Sequence, residues 1–425
     1  MKKLFLSIIA ALCCMMVAKA QTQPDNEIWY TSSDNSVVTP SNDNFNVSIV
    51  SNDYNDGKGV IKFSGELTSI GEFAFNAKTT LVSVTIPALV TSIGNSAFGN
   101  CSGLTTLTFA EGSHLGTIEN NAFASTAISG ELTLPASLKN IGAYSFEYTQ
   151  ITAVTLPALV TSIGDEAFNY CTSLESLTFA EGSHLENIGE GAFYLTGIKG
   201  ELTLPTSLKS VGNQAFNSCS GLTTLTFAEG SQLETIGEKA FDGAGISGEL
   251  TLVASLKNIG LLAFAGCQLT KVYMSSEDLS GISNKIFIES AVIIVPSALY
   301  EAYKNHFSGN NKVEVPLNEW KEYAIAKIDA AMQTVNTLSD TDRNTITTGI
   351  STIENATTFD GTLEAYYAVL ALIDQQKAFE DRVRSVLEEW GTKQPGTAIE
   401  IEGEDEKTIQ LYKIKKVKFI KVDEE

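Results

Sequence analysis

The chain carries few of the residues that enzymes use. Its three histidines are His114, His184 and His306, and the first two sit in identical Glu-Gly-Ser-His-Leu phrases 70 residues apart, with Gln232 in a third copy. A residue that recurs with a repeat and is then replaced belongs to the repeat, not to a catalytic apparatus. No nucleophile elbow, His-Glu-x-x-His helix, phosphate-cradling Gly-Lys loop or paired-cysteine zinc spacing occurs. Carboxylates are plentiful, 50 Asp and Glu against 28 Lys and Arg, but they recur with the repeat, as a solvated face does. The pattern argues against catalysis and against any metal or other cofactor. What remains is chemistry suited to binding. One column reads Thr85, Thr108, Thr133, Thr155, Thr178, Thr203, Thr226 and Thr251, then Tyr273. Beside it runs a mixed column of Ser83, Thr106, Glu131, Ala153, Ser176, Glu201, Thr224, Glu249 and Lys271.

These columns come from a repeated phrase, Leu-x-x-Leu-x-(Leu/Ile/Phe), as in Leu104 to Phe109, Leu174 to Phe179 and Leu222 to Phe227. Its end alternates with period two, so it predicts a short strand with one buried face and the threonine pointing outward. Threonine also simply suits an exposed strand position. A Pro (87, 135, 157, 205) or a Glu-Gly-Ser turn stops the strand. A second phrase, Ile-Gly-x-x-Ala-Phe, follows, and its glycine is expected at a tight corner where a Cβ would cost energy. Its phenylalanines, Phe75, Phe98, Phe123, Phe146, Phe168, Phe193, Phe216, Phe241, Phe264 and Phe287, are spaced by 22 to 25 residues. A period in this range is the mark of a solenoid whose coils bury a shared core only when stacked. Blocks Pro87 to Gly94 and Gly130 to Pro135 recur 70 residues on, as a duplicated three-coil cassette would.

The residues from about Gly65 to Pro296 resemble the BspA-like leucine-rich repeat proteins, bacterial surface proteins with an Ile-Gly-x-x-Ala-Phe-x-x-Cys repeat. Glu119 in place of Gly, Ser145 in place of Ala and a degenerate tenth unit (Ile282 to Phe287) are the departures. The resemblance implies a mainly β solenoid of about ten coils and a role as an adhesin for host matrix proteins or other cells.

Residues 1–20 read as a signal peptide: Lys2 and Lys3, an apolar run Leu4 to Val17, and a small-x-small site at Ala18-Lys19-Ala20. Cys13 and Cys14 lack the small preceding residue of a lipobox, which favours cleavage after Ala20. Cleavage would remove three of the 28 basic residues and leave 25 against 50 acidic ones, net −25. That balance argues against nucleic acid and anionic membranes as partners, and no later stretch is long and apolar enough for membrane insertion of the mature chain. The expected site of action is outside the cell, secreted or on the surface. Cys101, Cys171, Cys219 and Cys267 each lie three residues after a repeat Phe and never in adjacent coils. At about 4.8 Å per coil, the nearest pairs stand about 10 Å apart, beyond the disulfide reach of about 7 Å, so they are expected as small buried core residues.

Residues 21–64 are expected as a β cap, with strands at Glu27–Thr31, Val47–Val50 and Gly59–Phe63. Asn52 to Gly57 mimics a calcium loop but fails the EF-hand pattern at Tyr54 and Phe63, and reads as a turn. The solenoid with its terminator is placed at 65–310, closed by a strand at Ala291–Val295 and a short helix that Ser297 would cap. A three-helix bundle is expected at 317–391, its last helix running from about Thr362 to Trp390 and ended by Gly391. A small β segment fills 397–425, with strands at Ala398–Glu402, Thr408–Tyr412 and Lys416–Val422.

The sequence thus leads to a non-enzymatic scaffold whose candidate ligand-binding residues are Thr85, Thr108, Thr133, Thr155, Thr178, Thr203, Thr226 and Thr251 with Thr106, Glu131, Glu201, Thr224 and Glu249. Its expected partner is an extracellular protein, a host matrix protein or another cell's surface. Two other readings stay open: a glycan-binding module of a nutrient-uptake system, and a structural spacer. The near absence of aromatics in the strip counts against sugar stacking there.

Overall fold

The computed structural model describes residues 23–41, 43–287, 291–308, 311–335, 338–393, 397–402 and 416–421, with side chains up to residue 381. The expected signal peptide and the strand expected at Thr408–Tyr412 lie outside the described residues. The chain forms two compact units, one built on residues up to Val292 with His306–Lys312, the other on Ile293–Asn305 with Val313 onward.

The first unit is a β-solenoid held by three hydrogen-bond ladders, each fed by one part of the repeat. The first is the Leu phrase, which forms the longer strands, such as Leu81–Ile86, Gln150–Leu156 and Gly221–Phe227. The second is the Ser/Thr/Asn-Ile pair just before each glycine. Two-residue strands there build a continuous ten-stranded parallel sheet from Ser69–Ile70 to Gly281–Ile282. The third ladder runs through the Phe turns, where alternate N–H groups donate to carbonyls of the following coil. In the fifth coil Glu166, Phe168 and Tyr170 donate to Glu190, Ala192 and Tyr194 at 2.7, 2.8 and 2.9 Å.

The Phe turns explain the repeat's composition. Two residues per turn adopt left-handed backbone, for example Ser96 (φ 52°) and Asn100 (φ 60°), or Glu166 (φ 54°) and Tyr170 (φ 55°). Such positions cost a non-glycine residue roughly 1–2 kcal/mol, and the inter-coil hydrogen bonds offset that cost. The Ile-Gly glycines are not among the left-handed residues. Their role is close approach: a Cβ on Gly94 would lie 2.7 Å from the backbone N of Glu72 and 2.7 Å from the carbonyl carbon of Gly71. The expected tight corner is therefore corrected to a contact site between coils.

The repeat phenylalanines stack. From Phe75 to Phe264 successive ring centroids are 5.0–5.4 Å apart and nearly parallel, and the last step, to Phe287, widens to 6.0 Å at 31°. All from Phe75 to Phe264 are fully buried. Phe45 of the cap starts the column, edge-on to Phe75 at 6.0 Å.

The cap closes all three ladders at the first coil. Strand β1 (Glu27–Ser32) pairs antiparallel with Leu81–Ile86, and Phe45 bridges Ile70. Ser41 N–H donates to Ala74 (2.7 Å), while the Asn44 side chain donates to Glu72 (3.1 Å). Strands β2 (Ile49–Asn55) and β3 (Lys58–Phe63) form a hairpin around Asp56 (φ 51°) and Gly57 (φ 81°). Both central residues need positive φ in such a two-residue turn. Most of the stretch expected as a turn at 52–57 is thus strand, and the strand expected at Val47–Val50 begins two residues later.

In the second unit, a 3-10 turn (Ser297–Leu299) leads into helix α1 (Tyr300–His306). Ser297 makes no capping side-chain bond; its N–H instead donates to Glu319 Oε1 at 2.8 Å. Helices α2 (Leu317–Met332), α3 (Asp340–Asn355) and α4 (Phe359–Lys393) pack around Trp320, which is fully buried against Tyr300, Phe359 and Tyr366. Ser339 caps α3, accepting the Asp342 N–H at 2.9 Å. Helix α4 runs through Gly391 rather than stopping there, since a helical glycine costs only about 1 kcal/mol and does not itself break the backbone ladder. Thr397–Glu402 and Lys416–Lys421 pair antiparallel. Among the described residues no helix is long and apolar enough to cross a membrane.

Candidate functional site

The threonine column lies along the Leu-phrase strands. Thr108, Thr133, Thr155, Thr178, Thr203 and Thr251 are exposed, as are Thr106, Glu131, Glu201, Thr224 and Glu249. Two candidates are more covered. Thr85 is half-buried where Trp29 of β1 pairs across from it, and Thr226 is half-buried, hydrogen-bonded to Thr203 (2.7 Å) and Glu201 (3.3 Å). Thr155 and Thr178 share a hydroxyl contact of 2.8 Å.

The strip does not lie on one continuous sheet. Its strands fall into separate sheets, with breaks after Thr106–Phe109, after Ser176–Phe179 and after Gly221–Phe227. Each break follows a coil whose Glu-Gly-Ser turn adds two residues, which produces the 25-residue Phe spacings. The strand on the far side carries a left-handed glycine as its second residue, Gly130 (φ 78°), Gly200 (φ 80°) or Gly248 (φ 80°). Beside these glycines the register slips, leaving Thr152, Thr223 and Thr270 unmatched in the next strand. At two of the breaks the surface sinks into equivalent depressions 70 residues apart. One, of about 540 Å³, is lined by Thr108, Phe109, Glu131, Thr133 and Pro135; the other, of about 610 Å³, by Thr178, Phe179, Glu201, Thr203 and Pro205. Phe109 and Phe179, expected on the buried strand face, are half-buried and supply an apolar wall. The depressions were invisible from strand periodicity, although the 25-residue spacings mark where they fall.

Glu249 stands apart from Glu131 and Glu201. It is tied to Lys271 Nζ at 2.9 Å and to the Tyr273 hydroxyl at 3.0 Å, and these two bonds hold its carboxyl below the usual range. The other solenoid lysine pairs, Lys199–Glu175, Lys209–Glu186 and Lys257–Glu234, also join adjacent coils. Exposed pairs like these contribute little to stability, because solvent screens them.

Cys101, Cys171, Cys219 and Cys267 are buried, and among the described residues none forms a disulfide. Each thiol approaches the Phe carbonyl of the preceding coil, from 2.9 Å (Cys101 to Phe75) to 3.3 Å (Cys267 to Phe241). Buried threonines, Thr126, Thr149 and Thr196, occupy the same column in coils without cysteine, and Thr149 and Thr196 contact Cys171 and Cys219. His114 and His184 are both exposed. Among the described residues no group of three His, Cys, Asp or Glu is placed to hold a metal.

The profile of the BspA type leucine rich repeat region matches in six copies over residues 58–175, 139–248 and 225–324. Solved structures with similarity include a leucine-rich repeat protein from Eubacterium ventriosum (22% identity, 54% of this chain and 63% of that chain, TM-score 0.37). A leucine rich cell surface protein from Faecalibacterium prausnitzii matches at 20% identity over 70% of this chain and 96% of its own (TM-score 0.34). The pneumococcal vaccine antigen PcpA matches at 17% over 66% and 99% (TM-score 0.28). The chain thus spans less than two thirds of the Eubacterium protein's solved length. No curated protein matches it.

Proposed function

The chain belongs to the BspA-type leucine-rich repeat family, and from that premise we propose that it is an exported, non-enzymatic scaffold that attaches to an extracellular protein through the threonine–glutamate strip. The observation that carries this reading is the pair of equivalent depressions. Each offers hydroxyls, a carboxylate and an apolar wall at the same place in duplicated cassettes. Three coils at about 4.8 Å put the two about 14 Å apart. An extended segment of a matrix protein or of another cell's surface protein could engage both, and modest contacts gain from being linked. The acidic surface keeps the scaffold soluble and disfavours nucleic acid.

Solid-phase binding of the full chain to immobilised fibrinogen and fibronectin, run beside a glycan array, tests the proposal. Saturable binding to protein with no glycan hits is expected. Glycan hits without protein binding would favour a nutrient-uptake module instead. Deleting one 70-residue cassette should weaken protein binding, and unchanged binding would make the solenoid a spacer.

A further inference from the structure

A different side of the solenoid carries an exposed aromatic row. On the Phe turns of the fourth to sixth coils, Tyr148 and Tyr170 stack at 4.9 Å and 20°, and Tyr194 meets Tyr170 at 5.7 Å and 64°. Tyr148 is 52% exposed and Tyr170 37%. Neither ring is needed for the core, which the phenylalanines fill two residues earlier. Both tyrosines occupy left-handed positions (φ 57° and 55°), where other coils carry Ala77, Asn100, Ser125 or Gly266.

Beside the rings lies a carboxylate pair. The buried Asn169 amide donates to Glu166 Oε2 at 2.6 Å and to Glu147 Oε1 at 3.3 Å, and the Tyr144 hydroxyl donates to Glu166 Oε1 at 3.1 Å. The two acids are therefore held together and oriented. Neither belongs to an ion pair among the described residues, while solenoid lysines elsewhere neutralise Glu175, Glu186, Glu234 and Glu249. Partial burial, with the neighbouring Glu166 charge, pushes the Glu147 carboxyl above the usual range, and the Asn169 bond opposes it. Two like charges without a counterion and open tyrosine rings together favour a cation, through both Coulomb attraction and the ring faces.

We propose that Tyr148, Tyr170 and Tyr194 with Glu147 and Glu166 form a second binding surface, one that takes Lys or Arg side chains from a basic segment of a partner protein. This surface is independent of the strand-face reading. A neutral sugar could stack on the rings but would leave the carboxylate pair uncompensated.

The test is isothermal titration of the full chain with a tetra-arginine peptide at physiological salt. The double variant Tyr148→Ala/Tyr170→Ala keeps the backbone, because alanine already holds this left-handed position at Ala77 (φ 58°). Glu147→Gln/Glu166→Gln keeps the shape of the pair. Each double variant should weaken binding at least about tenfold, while the charge-matched control Glu66→Gln/Glu277→Gln, at two exposed positions away from both surfaces, should change it less than about twofold. Absence of binding by the unmodified chain, equal loss in the control, or no loss on removing the tyrosines would overturn the proposal. Competition at this surface by a neutral maltohexaose would overturn it in favour of a glycan.

Discussion

Replacing Phe168 with alanine tests the solenoid at its middle. The ring is fully buried, lies 5.3 Å from Phe146 on one side and 5.3 Å from Phe193 on the other, and is within 9° and 4° of parallel to them. Truncating a buried Phe costs about 3–5 kcal/mol, because the transfer energy is lost and the cavity cannot fully collapse. Collapse is especially difficult here, since inter-coil hydrogen bonds from Glu166, Phe168 and Tyr170 fix the turn's height. Ring–ring contacts worth about 0.5–1.5 kcal/mol each disappear on both sides, within that same total. The expected loss is about 4 kcal/mol, a large part of a domain's usual 5–15. Phe287→Ala at the end of the column should cost about half as much, since among the described residues that ring has one aromatic neighbour, tilted 31° at 6.0 Å. Urea titration followed by circular dichroism gives the totals. Hydrogen exchange should show opening centred on the fourth to sixth coils, because coils in a solenoid touch only their neighbours. A loss below about 1 kcal/mol at Phe168, or equal losses at Phe168 and Phe287, would refute the stacked-column argument.

Further outcomes follow from single contacts. Gly94→Ala should cost about 1–3 kcal/mol of stability, because its Cβ would meet the preceding coil's backbone at 2.7 Å. Gly116→Ala, with its nearest atom 3.7 Å away, should be neutral or slightly stabilising in the same thermal melt. The thiols of Cys101, Cys171 and Cys219, pushed by burial up to about 12, 11 and 11, should not react with a thiol reagent at pH 8 until the chain is unfolded. Glu147→Gln should raise the melting temperature at pH 7. A carboxyl with a raised folded pKa costs stability above that value, and the cost vanishes as pH falls below it, so the variant's advantage should disappear in acid.

The solenoid was legible because burial imposes a simple rule on the repeat: Phe, Ile and Leu must return to the same radial position in every coil. The reason for the glycine was not legible. A missing Cβ looks the same whether φ is positive or a neighbouring coil presses close, and only the structure separates Gly94 from Gly130. The left-handed residues carry no sequence signal, since Ser96, Tyr144, Glu166 and Lys239 are held there by bonds to the next coil, not by local preference. The exposure of the threonines followed from strand alternation, but the covering of Thr85 depended on where β1 docks. The tyrosine row was hidden because Tyr148 and Tyr170 lie two residues after their Phe and Tyr194 only one.

The most direct test of the binding account fills the two depressions. A full-length triple variant, Thr108→Lys/Thr178→Lys/Thr203→Lys, alters three exposed positions whose substitution should leave stability within about 0.5 kcal/mol. Its binding to immobilised fibrinogen or fibronectin, whichever the unmodified chain binds, should fall at least about tenfold while its melting temperature holds. Binding equal to that of the unmodified chain would contradict the claim that the strand face makes the attachment.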